Sequence, residues 1–355
     1  MTKARIDRRP AARPLVAIAV VNFNGWKDTI ECLESVRRLA YPNYLCVLVD
    51  NKSSDDSLER IRGWAGEKQR EGFVLVEYDS ATSAKGGTEA QEKSVEAAAS
   101  RDRMVLITSQ ENLGPTGGAN LAIDYALRRT IRADYVFLLD NDAQIDANCL
   151  TALVGLEQKE KPGIVGAVTL DKETGRFQFA ERTTPLRFFF GDLVGSDLPL
   201  PEDPDASWET ANANGPGMLI RRDVLEAVHA ARGYYLNELH FRMGWEFEFC
   251  HFCSRMGYRI ISTRKGVVRH KGELRYRRTF NAGRYYYATR NQILMASAFL
   301  PAYWRLLYGL YSLPLSAARA AKALLHKRPD VAQAILEGVA DGYRGVVGKW
   351  RRQPT

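Results

Sequence analysis

Val16 to Phe23 reads VAIAVVNF, a run of apolar, mostly β-branched residues with no polar position before Asn22. A strand with apolar side chains on both faces must be covered on both faces. That is the mark of a parallel sheet between helical layers, not of a meander with one wet side. The first half of the chain repeats the theme. Trp26–Arg38 has helical spacing through Ile30, Leu33 and Val36, and Leu45–Val49 is a second buried run ending in Asp50-Asn51. Ser54–Asp56 offers caps to a helix over Ser57–Trp64. Phe73–Tyr78 and Met104–Thr108 read as further strands, separated by Ser80–Arg103, an Ala-, Glu- and Lys-rich segment that predicts an inserted, exposed helix. Glu111–Asn120 (ENLGPTGGAN) is a Gly-rich turn opening a helix over Gly117–Arg129. Tyr135–Leu139 is a strand running straight into Asp140-Asn141-Asp142, followed by a helix (Asp146–Glu157) and a strand (Ile164–Leu170). Strands alternating with helices predict an α/β fold with a mostly parallel sheet and ligands beyond the carboxyl ends of the strands.

The alternation stops at residues 171–210, where Pro185, Pro199, Pro201 and Pro204 predict an irregular or antiparallel segment. Met218–Arg221 reads as a short strand, Glu246–Met256 as a helix, and Tyr258–Ser262 and Val267–His270 as strands. From Tyr285 the chain is mostly helical, amphipathic and basic.

The chain has 355 residues, 45% hydrophobic and 26% charged, a balance that excludes a disordered or fibrous chain. Five scattered cysteines cannot form a disulfide scaffold and point to a reducing compartment. The net charge of +8 is uneven: residues 1–14 carry +4 and residues 299–355 carry +6, which leaves the middle at −2. Basic ends suit a polyanion, either nucleic acid or an anionic membrane face. Met1–Pro14 reads as a disordered basic arm and not as a secretory signal, and no stretch reaches the ~20 apolar residues of a spanning helix.

Four constellations could carry chemistry. Asp50-Asn51, with Ser53 and Asp55, ends a strand, where a carboxylate either accepts from a nucleoside or caps a helix. Gly114, Gly117 and Gly118 permit close backbone approach at a helix start that favours anions. Asp140 and Asp142 flank Asn141 directly after a buried strand, and paired acids there call for a counter-charge that a hard divalent cation supplies. Trp245-Glu246-Phe247-Glu248 places two acids among aromatics, a setting for a general base of raised pKa. His270 follows Val267-Val268 and is a possible metal ligand. Cys250-x-x-Cys253 has no second pair to complete a zinc site and reads as core thiols. Tyr285-Tyr286-Tyr287 with Arg284 and Arg290 carries no RNA-binding signature around it.

The order of VNFNGWKDTIECLESV, VDNKSSDDS, ENLGPTGGANLAIDYAL, YVFLLDNDAQID and MGWEFEFCHFCSRMGYRI leading to VVRH resembles family 2 glycosyltransferases of the GT-A fold. Within that family it is most similar to bacterial rhamnosyltransferases of cell-surface polysaccharide synthesis. The resemblance spans Val16 to about Arg290. It implies a Rossmann-like nucleotide-binding sheet, with a nucleotide half at about 15–170, an acceptor half at about 171–298 and a helical extension at 299–355. It implies that Asp50 contacts the base with Val21 and Asn22 lining its pocket. Asn112, Gly114, Gly117, Asn120 and Asn141 would lie along the nucleotide sugar. Asp140, Asp142 and His270 would hold Mg²⁺ or Mn²⁺, and Glu246 would act as the base, with Glu248 as the alternative. The family's Glu-Asp pair is Trp245-Glu246 here, and an Arg near the end of that motif is Phe252.

The activity so implied is inverting, metal-dependent transfer of a sugar from a nucleoside-diphosphate donor, dTDP-rhamnose favoured, to a saccharide or lipid-linked acceptor. The place implied is the cytoplasm, peripheral on the membrane if the basic C-terminal helices touch it. A homo-oligomer stays open. The competing expectations are a sugar nucleotidyltransferase, which would need basic residues in Asn22-Phe23-Asn24-Gly25, and a nucleic-acid binder, whose charge would have to sit on the core and not at the ends.

Overall fold

In the computed structural model, which describes residues 13–179, 189, 202–271 and 281–352, β1 (Val16–Asn22) is buried at every position except the half-buried Val21. Its side chains alternate between two cores. Ala17 and Ala19 join one apolar cluster and Val16, Ile18 and Val20 the other, so both faces of the sheet are covered. Full burial of each such Val or Ile contributes about 1.5–3 kcal/mol.

β1 pairs in parallel with β2 (Tyr44–Asp50) on one side and β5 (Tyr135–Asp140) on the other. Outward from β2 lie β4 (Arg103–Thr108) and β3 (Val74–Asp79), again parallel. Beyond β5 the sheet changes character. β10 (Met218–Arg221) runs antiparallel between β5 and β7 (Gly163–Asp171), and β7 is parallel to β11 (Arg259–His270). β6 (Ala143–Ile145), β8 (Phe177–Phe179) and β9 (Ser207–Glu209) add short antiparallel edges, for eleven strands among the described residues, in order β3-β4-β2-β1-β5-β10-β7-β11-β6 with β8 on β7 and β9 on β11. The fold is therefore of the expected α/β class, with a mostly parallel sheet and a helical C-terminal region.

The covering helices are α1 (Trp26–Arg37), α2 (Ser57–Gln69), α3 (Ser80–Ser83), α4 (Glu89–Ala97), α5 (Gly114–Arg128), α6 (Cys149–Glu160), α7 (Arg222–Arg232) and α8 (Trp245–Arg255). Helix α7 was not expected. The segment 80–103 differs from the single exposed helix expected there. It folds as α3, a turn through Gly86 and Gly87, and α4, and it is fastened to the sheet through one buried carboxylate. Glu92 accepts from the Tyr78 hydroxyl (2.9 Å), the Tyr125 hydroxyl (2.7 Å) and Arg129 Nε (3.0 Å). Tyr258–Ser262 and Val267–His270 are parts of the one strand β11, whose register against β7 shifts between Thr263 and Val267.

Among the described residues three helices follow: α9 (Ala282–Phe299), α10 (Ala302–Leu325) and α11 (Pro329–Tyr343). α11 lies tight against α9 because Gly338 and Gly342 face it. A Cβ at Gly338 would sit 2.8 Å from Tyr286 O, and one at Gly342 2.9 Å from Ile293 Cβ. Tyr286, Tyr287 and Arg290 are buried in this packing, so the aromatic–basic stretch is core. Among the described residues no helix is long and apolar enough to cross a membrane. Residues 1–12 of the basic arm, and Pro185, Pro199 and Pro201, lie outside the described residues.

Candidate active site

β5 ends at Asp140, level with Val21 of β1, at the carboxyl edge of the parallel strands. The chain turns through Asn141 and Asp142 into β6, which pairs antiparallel with the end of β11 so that Ala143 lies opposite His270. That register brings His270, 128 positions after Asp142 in the chain, back to the acidic turn. His270 Nε2 is 3.0 Å from Asp142 Oδ1 and 3.6 Å from Asp140 Oδ2. Nδ1 of the same ring meets Gln178 Oε1 at 3.0 Å, and Gln178 Nε2 donates to the His270 carbonyl at 2.9 Å, which fixes the ring plane.

One ligand atom from each of Asp140, Asp142 and His270 lies within 4.8 Å of the others. Desolvation by the cleft walls raises the Asp140 pKa, only partly offset by His270. Asp142 feels the same desolvation, yet its hydrogen bond to His270 and the imidazole's charge hold it below the usual carboxylate range. Two carboxylate oxygens and an oriented imidazole form a donor set that suits Mg²⁺ or Mn²⁺, with positions left for phosphate oxygens.

These side chains open onto a cleft of about 450 Å³ that is also lined by Val21, Asn112, Gly114, Asn141 and Glu246. Glu246 stands in the first turn of α8 against Gly215, where a Cβ would come within 3.0 Å of its Oε1. Burial, reinforced by the Asp140 charge, pushes its pKa up to about 7. Glu248 points elsewhere. Its Oε1 takes Arg232 Nη1 at 2.7 Å, both side chains are buried, and it is not among the cleft residues. Of the two expected acids, Glu246 is thus the one that faces Asp140 and Asp142 across the cleft.

The residues expected on the nucleotide side divide in the same way. Asn22 and Asp50 are buried behind the cleft wall and bonded to each other (Nδ2 to Oδ1, 2.8 Å). Ser53 takes both oxygens of Asp50, donating from its hydroxyl at 2.6 Å and its backbone N–H at 3.1 Å. From Asn22 a chain of hydrogen bonds runs through Thr29 Oγ1 (2.8 Å) to Asn141 Nδ2 (2.9 Å) and so reaches the acidic turn. Gly117 packs on Leu113. Asn120 is a structural tie, donating to Leu236 O at 2.9 Å and Glu238 Oε1 at 2.7 Å and accepting from Leu236 N at 3.0 Å.

Two residues at the cleft were given no part of their own by the sequence, although Asn51 stood beside Asp50 in the first constellation. Asn51 clasps the Gly-rich turn, donating to Gly114 O (2.9 Å) and accepting from Leu113 N (3.1 Å). Its signal was available in the Asp50-Asn51 pair. Arg242 also lines the cleft, and nothing in its neighbourhood of the sequence marks it.

No curated protein matches the sequence. Among solved structures, residues 1–349 of TarS from S. aureus, in complex with UDP-GlcNAc, give a TM-score of 0.51 at 16% identity, over 94% of this chain and 84% of that one. The mannosyltransferase PcManGT from Pyrobaculum calidifontis, in complex with GDP-Man and Mn²⁺, gives 0.53 at 15% identity, over 97% and 89%. A longer TarS chain from S. aureus is matched over 79% of this chain but only 39% of its own length, with a TM-score of 0.46 at 16% identity. At these identities the likeness is one of fold. The sequence carries the assignment further. The model for glycosyl transferase family 2 matches residues 17–79 and 82–228, more than half of the chain and every strand from β1 to β10, and on that match the protein belongs to glycosyl transferase family 2.

Proposed function

We propose that the protein is an inverting, metal-dependent glycosyltransferase that moves a sugar from a nucleoside-diphosphate donor to a hydroxyl of a saccharide or lipid-linked acceptor. The observation that carries this is the cluster of Asp140, Asp142 and His270 on one side of a cleft and Glu246 on another, at the carboxyl edge of a nucleotide-binding type of sheet. The solved relatives in complex with UDP-GlcNAc and with GDP-Man and Mn²⁺ support a nucleotide-sugar donor and a divalent cation.

In the proposed reaction the anomeric carbon–phosphate oxygen bond breaks and its electron pair stays on the leaving nucleoside diphosphate. The acceptor oxygen attacks from the opposite face, and its proton passes to Glu246. Mg²⁺ or Mn²⁺, held by Asp140, Asp142 and His270, would supply positive charge against the leaving diphosphate. Asn141, tied to Thr29, and Gly114, tied to Asn51, fix the backbone on which the nucleotide rests. Glu246, with its pKa near 7, is able both to take the proton and to release it near neutral pH. Inversion follows from a single displacement.

For the donor, dTDP-rhamnose is favoured by the resemblance to rhamnosyltransferases, and a role in cell-surface polysaccharide synthesis goes with it. For the place of action, we propose the cytoplasmic face of an anionic membrane. Support comes from the exposed row Tyr303, Leu306, Leu307, Leu310 and Leu313 on α10, with Arg305, Arg319 and Lys322 on the same helix. The test is consumption of a panel of nucleotide sugars with Mg²⁺ or Mn²⁺. Turnover that stops with EDTA and in Asp142→Ala is expected. Full turnover in that variant after metal stripping overturns the proposal.

A further inference from the structure

Arg242 lines the cleft, and its charge is felt by Asp140 across it. Its guanidinium has no hydrogen bond or ion pair among the described residues. Its neighbours are engaged: Arg232 with Glu248 and with Tyr235 O, and Arg290 with His240 O and Gly348 O. A half-buried guanidinium gives up hydration and regains it only when an anion arrives. Its planar fork of donors matches phosphate oxygens in a way a point charge does not.

The loop that presents it is held against its own preference. Phe241 (φ 56°), Met243 (φ 67°) and Gly244 (φ 81°) bracket Arg242 with left-handed backbone, and the first two are not glycines. Such backbone persists where the surroundings over-determine it. Here the surroundings are two wholly buried side chains of α9. Asn291 Nδ2 reaches the carbonyls of His240 (3.0 Å), Arg242 (2.6 Å) and Met243 (2.9 Å). Arg290 Nη2 takes His240 O at 3.1 Å, and its Nε donates to Asn291 Oδ1 at 2.9 Å. On its other side the loop sits on the start of α5. A Cβ at Gly114 would come within 2.7 Å of Phe241 O. One short loop thus joins the Gly-rich turn, the start of α8 with Glu246, and the C-terminal helices.

Three carboxylates face this cleft, and a diphosphate adds further negative charge to it. A single divalent cation leaves an excess that one fixed guanidinium reduces. We propose that Arg242 clamps the diphosphate of the nucleotide donor, and that Asn291 is the positioning residue that holds it there from α9. The clamp rests on the transferase reading above. It adds a phosphate contact outside the Asp140–Asp142–His270 cluster and gives the C-terminal helices a part in donor binding.

The test uses the full chain, with Mn²⁺, and calorimetry of UDP, GDP and dTDP beside the corresponding monophosphates. Arg242→Gln is expected to weaken the tightest diphosphate about ten- to a hundredfold, the range of a charged hydrogen-bonded contact, and to leave its monophosphate unchanged. Arg242→Lys is expected to recover part of the loss. Asn291→Ala is expected to show the same selective loss at a temperature where circular dichroism reports the native fold. A merely structural Asn291 would weaken both nucleotides alike. Equal losses for mono- and diphosphate, no loss in Arg242→Gln, or a change confined to acceptor KM would overturn the clamp. Wild-type protein that binds none of the six nucleotides would overturn the transferase reading itself, a distinguishable result.

Discussion

Asp140 and Asp142 are two residues apart, yet their pKa values move in opposite directions, because the imidazole that lowers both outweighs desolvation only at Asp142. His270 donates to Asp142 and stands farther from Asp140, so Asp142 is held ionised while desolvation raises Asp140. Removing Asp142 takes one of the three ligand atoms out of the cluster. Asp142→Ala is therefore expected to abolish the rise in melting temperature that Mn²⁺ gives the wild type, which differential scanning calorimetry will show. Glu246 makes a sharper case. Its pKa lies near 7 in the fold against an ordinary 4.5. A base must be ionised, so kcat/KM should rise with pH through about 7 and then level off. The linkage sign for stability is the reverse. The folded state holds this proton more tightly than the unfolded chain, so the stability that goes with it is complete below pH 4.5 and is lost as pH rises through about 7. Glu246→Gln, neutral at every pH, is expected to lose about 10²–10⁴ in kcat and to melt higher than wild type at pH 8 in EDTA. Glu248→Gln is expected to do neither. It breaks the buried pair with Arg232 and should cost about 3–5 kcal/mol in denaturant unfolding.

Elements place these groups with little slack. α11 approaches α9 on Gly338 and Gly342, and α9 holds the 240–244 loop. Gly338→Ala pushes a methyl group onto the Tyr286 carbonyl and is expected to cost about 1–3 kcal/mol, measured by urea unfolding, and to lower donor affinity with it. The parts of this arrangement legible in the sequence are those with a repeating signal. β1, β2, β4, β5 and β7 carry apolar runs, and the acids at 140 and 142 follow one of them directly. β6 is three residues long, too short for any period. Its pairing with β11, which delivers His270, is a matter of register that no local pattern encodes. α7 was missed although RDVLEAVHAAR buries Val224, Leu225 and Val228 at helical spacing. Arg242 was illegible for a different reason. Its place at the cleft goes with left-handed backbone at Phe241 and Met243, held from α9 some fifty residues later. The expected exposed helix at 80–103 failed because Val95 joins the core and Glu92 gathers Tyr78 of β3 with Tyr125 of α5 and Arg129 just past its end.

The molecule as a whole joins a slightly acidic catalytic core to a basic helical end. α9 bonds to the loop beside the cleft and α11 packs on α9, so helices after β11 support the cleft. α10 is different, since its apolar row faces outward. Vesicles containing phosphatidylserine are expected to carry the protein down in sedimentation at low salt, and Leu306→Asp with Leu310→Asp to abolish it. Loss of a dimer in light scattering, with vesicle binding unchanged, would instead make the row a contact between copies.

The most direct measurement is anomalous diffraction at the manganese edge, from crystals grown with Mn²⁺ and the tightest-binding nucleoside diphosphate. The account predicts one strong peak bounded by Asp140, Asp142 and His270, with diphosphate oxygens beside it. A nucleotide seated elsewhere, or manganese bound away from those three side chains, would contradict it.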